Sequence, residues 1–170
     1  MSHAKNKIQW CLNKAQKELQ EGKKHRGLVQ IEPNKIKAKE HVEKAEHNLK
    51  ATLYFNEGGY TDWCSSSLFY TIYHCFLAII TNFGYESRNQ ECTLALIASF
   101  IEDKKIPIEK EDLKRISSFD SLESQEDSTA LNIREKYQYS TRVSLENKEY
   151  ENLLNLAKRI LDKTKEILEE

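Results

Sequence analysis

YTDWCSSSLFYTIYHCFLAIITNF, residues Tyr60 to Phe83, runs for 24 residues without glycine or proline, and no charge interrupts it from Leu68 to Ile80. Composition alone allows a buried strand or a buried helix. Length excludes a single strand, which rarely passes about 10 residues. Thr61 or Asp62 can cap the start, and Gly84 stands where a helix C-cap glycine belongs. On a helical wheel Cys64, Leu68, Ile72, Cys75 and Ile79 form one stripe, with Phe69, Tyr73, Phe76 and Ile80 beside it. A helix apolar on most of its circumference must be covered on several sides, so it is central. It is not read as a membrane span, because its apolar core, Leu68 to Ile80, falls short of the ~20 residues a bilayer requires and no second span accompanies it.

The rest of the chain reads as amphipathic cover. Lys5 to Gln20 places Ile8, Cys11, Leu12, Ala15 and Leu19 at helical spacing, and Gly22 ends that helix. KKHRGLVQIEP, Lys23 to Pro33, is a connector expected on the surface, with Leu28, Val29 and Ile31 as apolar hooks. Pro33-Asn34 opens a second helix, with Ile36, Val42, Ala45, Leu49, Thr52, Leu53 and Phe55 as its stripe and Gly58-Gly59 as its stop. The short turn that follows makes it the antiparallel neighbour of the central helix.

Beyond Gly84 the pattern predicts helices over Cys92–Ile101, Glu109–Leu122 and Leu131–Tyr139, with Ser121–Thr129 as a polar loop. A last helix follows Ser144 as its cap, with Leu145, Leu153, Leu154, Ile160, Leu161 and Leu168 inward. No segment alternates as a strand does. The expected fold is all-α: a four- or five-helix up-down bundle over 34–170, with a separable basic helix and connector over 1–33.

Hydrophobic residues at 39% and charged residues at 31% suit a helix-rich globular chain. The four cysteines show no close pairing, so they read as reduced, small hydrophobes. MSHAKNKIQW is basic and lacks the apolar run of a secretory leader, so a cytoplasmic protein is expected, with no membrane partner. The net charge of −1 hides an asymmetry. Residues 1–50 hold twelve Lys/Arg against six Asp/Glu, and the remainder is acidic. A basic third can touch nucleic acid. The commoner reading is a face of solvated lysines docked on the acidic remainder.

Few constellations suggest chemistry. His41 and His47 face different ways, Cys64, His74 and Cys75 lack ligand spacing, and no CxxC exists, so no metal is expected. No glycine-rich loop or nucleophile motif appears, and no cofactor is expected. His74 shares a stripe with Trp63, Ser67, Tyr70 and Thr81 on the least apolar side of the central helix. Large amphipathic aromatics suit an interface core, so this stripe is the expected homodimer contact.

Two polar clusters remain. One is Glu86 to Gln90, with Arg88 and Asn89. The other is Arg134, Lys136, Tyr137 and Tyr139, followed by Arg142. Arginine offers a fork for phosphate and tyrosine a stacking ring, so the second cluster can hold a nucleotide. Equally, Arg134 can pair with a bundle carboxylate while the tyrosines close the helix end.

The chain resembles the HEPN family (higher eukaryotes and prokaryotes nucleotide-binding domain), particularly its small stand-alone members, from about Ala38 onward. The resemblance is carried by three segments in order. They are the hairpin AEHNLKATLYFNEGGYTDWCSSSLFYTIYHCFLAIITNFGYES, the helix CTLALIASFIEDKKI, and IREKYQYSTRVS leading into the last helix. It implies an up-down helical bundle that commonly dimerises and often acts beside a nucleotidyltransferase in toxin–antitoxin pairs. Ribonuclease members carry Arg-x(4–6)-His near the final helix. Here Arg134 is followed by Tyr139, Ser140 and Thr141 in the histidine window, and Arg88 runs on to Cys92, Thr93 and Leu94 with the same absence of histidine.

Metal-independent RNA cleavage requires a group titrating near neutrality, which tyrosine, at about 10, is not. The expectation is an RNA- or nucleotide-binding protein with weak or no catalysis. Binding falls to Arg134, Lys136, Tyr137, Tyr139, Arg142, Arg88 and Asn89, and any catalysis to Arg134 with Tyr139. The alternatives are a ribonuclease using Tyr139 or His74, and a purely structural dimeric module.

Overall fold

The computed structural model describes residues 2–117 and 129–169. At its centre is the α2–α3 hairpin, α2 spanning Lys35–Glu57 and α3 spanning Thr61–Asn82. Asn34 caps α2 by accepting the Lys37 N–H at 2.8 Å. The N-cap of α3 is Tyr60, one residue before Thr61 and two before Asp62, the expected caps, and it makes no side-chain cap hydrogen bond. Thr61 Oγ1 instead accepts the Leu145 N–H at 2.9 Å, tying the start of α3 to the chain approaching α7. α7, Asn147–Glu169, begins three residues beyond the expected Ser144 cap, although Leu145 is buried as expected.

α3 is covered by α2, α7 and α6 (Ala130–Tyr139), and towards its C-terminus by α4 (Gln90–Glu102). By length and composition it could cross a bilayer, yet 67% of its most apolar window is buried inside the bundle. Phe69, Phe76, Leu68, Ile72, Ile79 and Ile80 are its largest fully buried side chains. Burying each is worth roughly 1.5–3 kcal/mol, so this helix dominates the core energetically. The all-α expectation therefore holds. α5, Lys110–Ile116, is pinned to α7 by buried Asp112, which pairs with Arg159 and lies 3.6 Å from Lys163 Nζ. The end of the helix expected over Glu109–Leu122, and the expected loop up to residue 128, lie outside the described residues.

Three expectations about the N-terminal third are corrected. The connector holds a strand, β1 (Leu28–Gln30), paired antiparallel with β2 (Tyr85–Ser87), so the chain is not strand-free. Three-residue strands are too short to show an alternating pattern. Cys11 and Cys92 are joined as a disulfide, their Cα atoms 5.9 Å apart. The 81 residues between them gave no clue, because only antiparallel packing of α1 (His3–Gln20) on α4 brings them together. Cys64 and Cys75 remain free and buried.

Finally, the connector expected on the surface buries Leu28 completely, and α1 buries Ala4, Cys11 and Ala15. Exposed basic residues do dock on acidic ones, Lys5 with Asp103 at 2.9 Å and Lys7 with Glu91 at 2.5 Å. Three apolar stripe positions of the sequence reading face solvent, Ile36 at 77%, Leu19 at 51% and Leu53 at 42% exposure.

Two glycines permit this docking. Gly84, at φ +81°, reverses the chain after α3, and a Cβ there would lie 2.8 Å from the Ile31 carbonyl. At Gly27 a Cβ would lie 2.4 Å from the Cys11 carbonyl and 3.1 Å from the Ala15 nitrogen, both backbone atoms that cannot swing away. Gly27→Ala should therefore cost about 2–3 kcal/mol in denaturant unfolding, as overpacking does. An unchanged midpoint would mean that the connector does not press on α1.

Candidate functional site

α6 follows residues 118–128 and is capped by Thr129, whose hydroxyl accepts the Asn132 N–H at 3.2 Å. Ala130, Ile133 and Tyr137, at helical spacing, face the bundle. Arg134 lies beside that face, its side chain 12% exposed. Its guanidinium sits 4.8 Å above the Phe69 ring centre, a cation–π contact. One terminal nitrogen donates to Tyr70 Oη at 3.3 Å, and the other lies 3.5 Å from Glu135 Oε1. Its Nε is buried without a hydrogen-bond partner. Arg134 is therefore not paired with a buried carboxylate, since Glu135 is half exposed. An aromatic platform holds it.

One turn on, α6 is locked to α7. Tyr137 Oη donates to Glu149 Oε2 at 2.8 Å, and Lys136 Nζ lies 3.3 Å from Oε1 of the same carboxylate. Burial, then the hydrogen bond to Glu149, raises the Tyr137 phenol above its ordinary value. Lys136 and Tyr137 are thus largely committed to structure. Tyr139 is 78% exposed, and Arg142 is exposed in the connector that follows. Tyr137 and Arg142, with Asp62, Trp63, Ser66 and Thr141, line a cleft of about 220 Å³ between the start of α3 and the α6–α7 connector.

Arg88 and Asn89 are not part of this cluster. They follow the far end of α3, a helix about 33 Å long. Arg88 Nε donates to Glu86 at 3.0 Å, and Glu86 also binds buried His25 at 2.9 Å. Asn89 caps α4, accepting the Cys92 N–H at 3.1 Å.

The stripe expected at a dimer contact divides. Trp63 and Tyr70 are exposed at 59% and 40%. Ser67 is half-buried and shares a hydrogen bond with Thr52 at 2.6 Å. Thr81 is buried, because the chain before α2 crosses it and Asn34 N–H reaches its carbonyl at 3.2 Å. A helical wheel identifies a face without revealing what local chain covers it.

His74 contacts His41 of α2, their Nδ1 atoms 3.1 Å apart and their ring centres 5.4 Å apart. At these two distances each nitrogen lies close to the line between ring centres. That is the geometry of one N–H···N hydrogen bond, not of two lone pairs converging on a metal. No group of three or more His, Cys, Asp or Glu side chains that could hold a metal occurs among the described residues. Burial, His41 and Lys44 push His74 down to about 4. Burial and Lys37 lower His41 as well, so both rings are neutral near pH 7.

Sequence reasoning missed Phe69, Glu149 and His41. Phe69 and His41 were visible only as a core aromatic and a helix histidine, and nothing in the chain marks which side chain lands on them.

An aromatic core helix with an arginine-bearing helix stacked across it, on an all-α bundle, defines a helical-bundle module. The HEPN domain family matches residues 38–168, so the chain belongs to that family. The match leaves α1 and β1 outside it. No curated protein matches the chain.

The histidine pair sets a pH dependence. In the unfolded chain His74 titrates near 6.5, and in the fold near 4, so between these values the unfolded state binds more protons. Its contribution is complete above about pH 6.5 and is lost as pH falls towards 4. Allowing for solvent screening of a half-buried ring, about 1 kcal/mol should disappear. Urea unfolding of wild type and of His41→Leu/His74→Leu at pH 7 and pH 4.5 measures it. Equal pH losses in the two proteins would contradict the assignment.

Proposed function

We propose that this HEPN protein binds single-stranded RNA or a nucleotide without cleaving it, in the cleft between α3 and the α6–α7 connector. The observation that carries this reading is that exposed Trp63 and exposed Arg142 line the same cleft, one offering a stacking ring and the other a guanidinium. A base stacks on an aromatic ring for roughly 1–3 kcal/mol whatever its identity, and a guanidinium takes the phosphate by paired hydrogen bonds. Arg134, held on Phe69 and bonded to Tyr70, does not line the cleft. A histidine in the family's spacing is absent, since residues 138–141 are Gln, Tyr, Ser and Thr.

The working unit in this reading is a homodimer, supported by the exposed Tyr60, Trp63 and Tyr70 on the hairpin. A nucleotidyltransferase is the partner class that family resemblance suggests, in a cytoplasmic toxin–antitoxin or defence setting.

Titration of a labelled single-stranded oligouridylate tests the site. Arg142→Ala and Trp63→Ala should each weaken binding about tenfold, and Arg142→Ala should also flatten the salt dependence. Arg88→Ala should change neither. Equal weakening by Arg88→Ala, or none by the first two, would remove the cleft from consideration.

A further inference from the structure

The attachment of α1 is unusual in what it lacks. Its fully buried side chains are only Ala4, Cys11 and Ala15, which are small, and Ile8 and Leu12 pack on the core only partly buried. Its ion pairs to α4 and the residue after it, Lys5–Asp103 and Lys7–Glu91, are exposed and individually contribute little. The ribbon that follows has three residues per strand. Against these weak contacts stands one covalent bond, Cys11–Cys92, with both residues fully buried. Such a bond typically contributes more than all the exposed ion pairs together, by restricting the open chain. It also ties a segment outside the family match to a helix inside it.

We infer that the Cys11–Cys92 disulfide is a redox-released latch, whose reduction by a dithiol frees α1 from α4 while the α2–α3–α7 core stays folded. In the exchange, local opening of α1 first exposes the buried pair; one thiolate of the dithiol then attacks one of its sulfurs, forming a mixed disulfide and releasing the other cysteine. The second thiol of the reductant then displaces the remaining cysteine. The reductant leaves as a disulfide, having passed two electrons and two protons to Cys11 and Cys92.

The other thiols do not compete. Burial pushes Cys64 up to about 11 and Cys75 up to about 12, so neither supplies a thiolate near neutral pH. Release uncovers the α1-facing side of α4, where Cys92 lies, and loosens the connector from Glu21 onward.

The full chain tests this with dithiothreitol as the dithiol. Alkylation under denaturing conditions should label two cysteines in protein equilibrated with oxidised glutathione and four after dithiothreitol. Amide hydrogen exchange should then rise about a hundredfold across α1 on reduction, with α3 unchanged. Cys92→Ser should exchange like the reduced protein without any reductant, and Cys75→Ser should respond as wild type does. Should Cys92→Ser misfold, the wild-type comparison in the two redox states still decides. Four labelled cysteines in the oxidised sample, or α1 exchange that ignores reduction, would overturn the latch.

Discussion

Burial of α3 is the constraint from which the rest of the structure follows. A helix uncharged for thirteen residues and apolar on most sides cannot lie on a surface. Three helices must wrap it, and α2, α6 and α7 do. The side facing them supplies the core, with Phe69, Phe76 and four aliphatic residues wholly enclosed. The edge left partly uncovered supplies everything else of interest: Trp63 and Tyr70 in the open, and His74 bonded to His41. Core and candidate site are two sides of one helix. Phe69 joins them directly, being buried at 2% exposure and serving as the platform for Arg134.

The N-terminal segment obeys a different logic. α4 is buried nearly throughout, so it too requires cover, and α1 provides it with small side chains at close approach. Close approach explains Gly27, where no side chain fits, and brings the two cysteines within bonding range. Small side chains also explain why a covalent tie matters there, since they bury too little to hold a helix alone.

Most of the architecture was legible because its signals are local. The length of the apolar run at Leu68–Ile80, Asn34 before α2 and Gly84 after α3 each specify one element by backbone chemistry. What escaped depends on contacts between distant segments. The pairing of Leu28–Gln30 with Tyr85–Ser87 and the Cys11–Cys92 bond join stretches that no periodicity relates. The site was half legible. Tyr137 and Arg142 do come together at the start of α3, because they are near neighbours in sequence, while Arg134 lies further along it on Phe69 and Tyr70. Arg88 and Asn89 had the same chemistry but serve the sheet and the α4 cap. Thr81 fell on the right face of the wheel and under the wrong piece of chain.

The chemistry turns on what stands within reach of a bound phosphate. Tyr139 is exposed and unsuited to proton transfer near neutrality, and His74 already spends its Nδ1 on His41. In the proposed reading, a cleft that offers Trp63 for stacking and Arg142 for phosphate, with no histidine among its lining residues, would retain RNA without breaking it. Incubating a labelled single-stranded RNA with the purified protein in excess EDTA, and resolving the products over time, measures this most directly. The account predicts intact RNA after many hours for wild type. Rapid cleavage that survives EDTA and disappears in Arg134→Ala would contradict it.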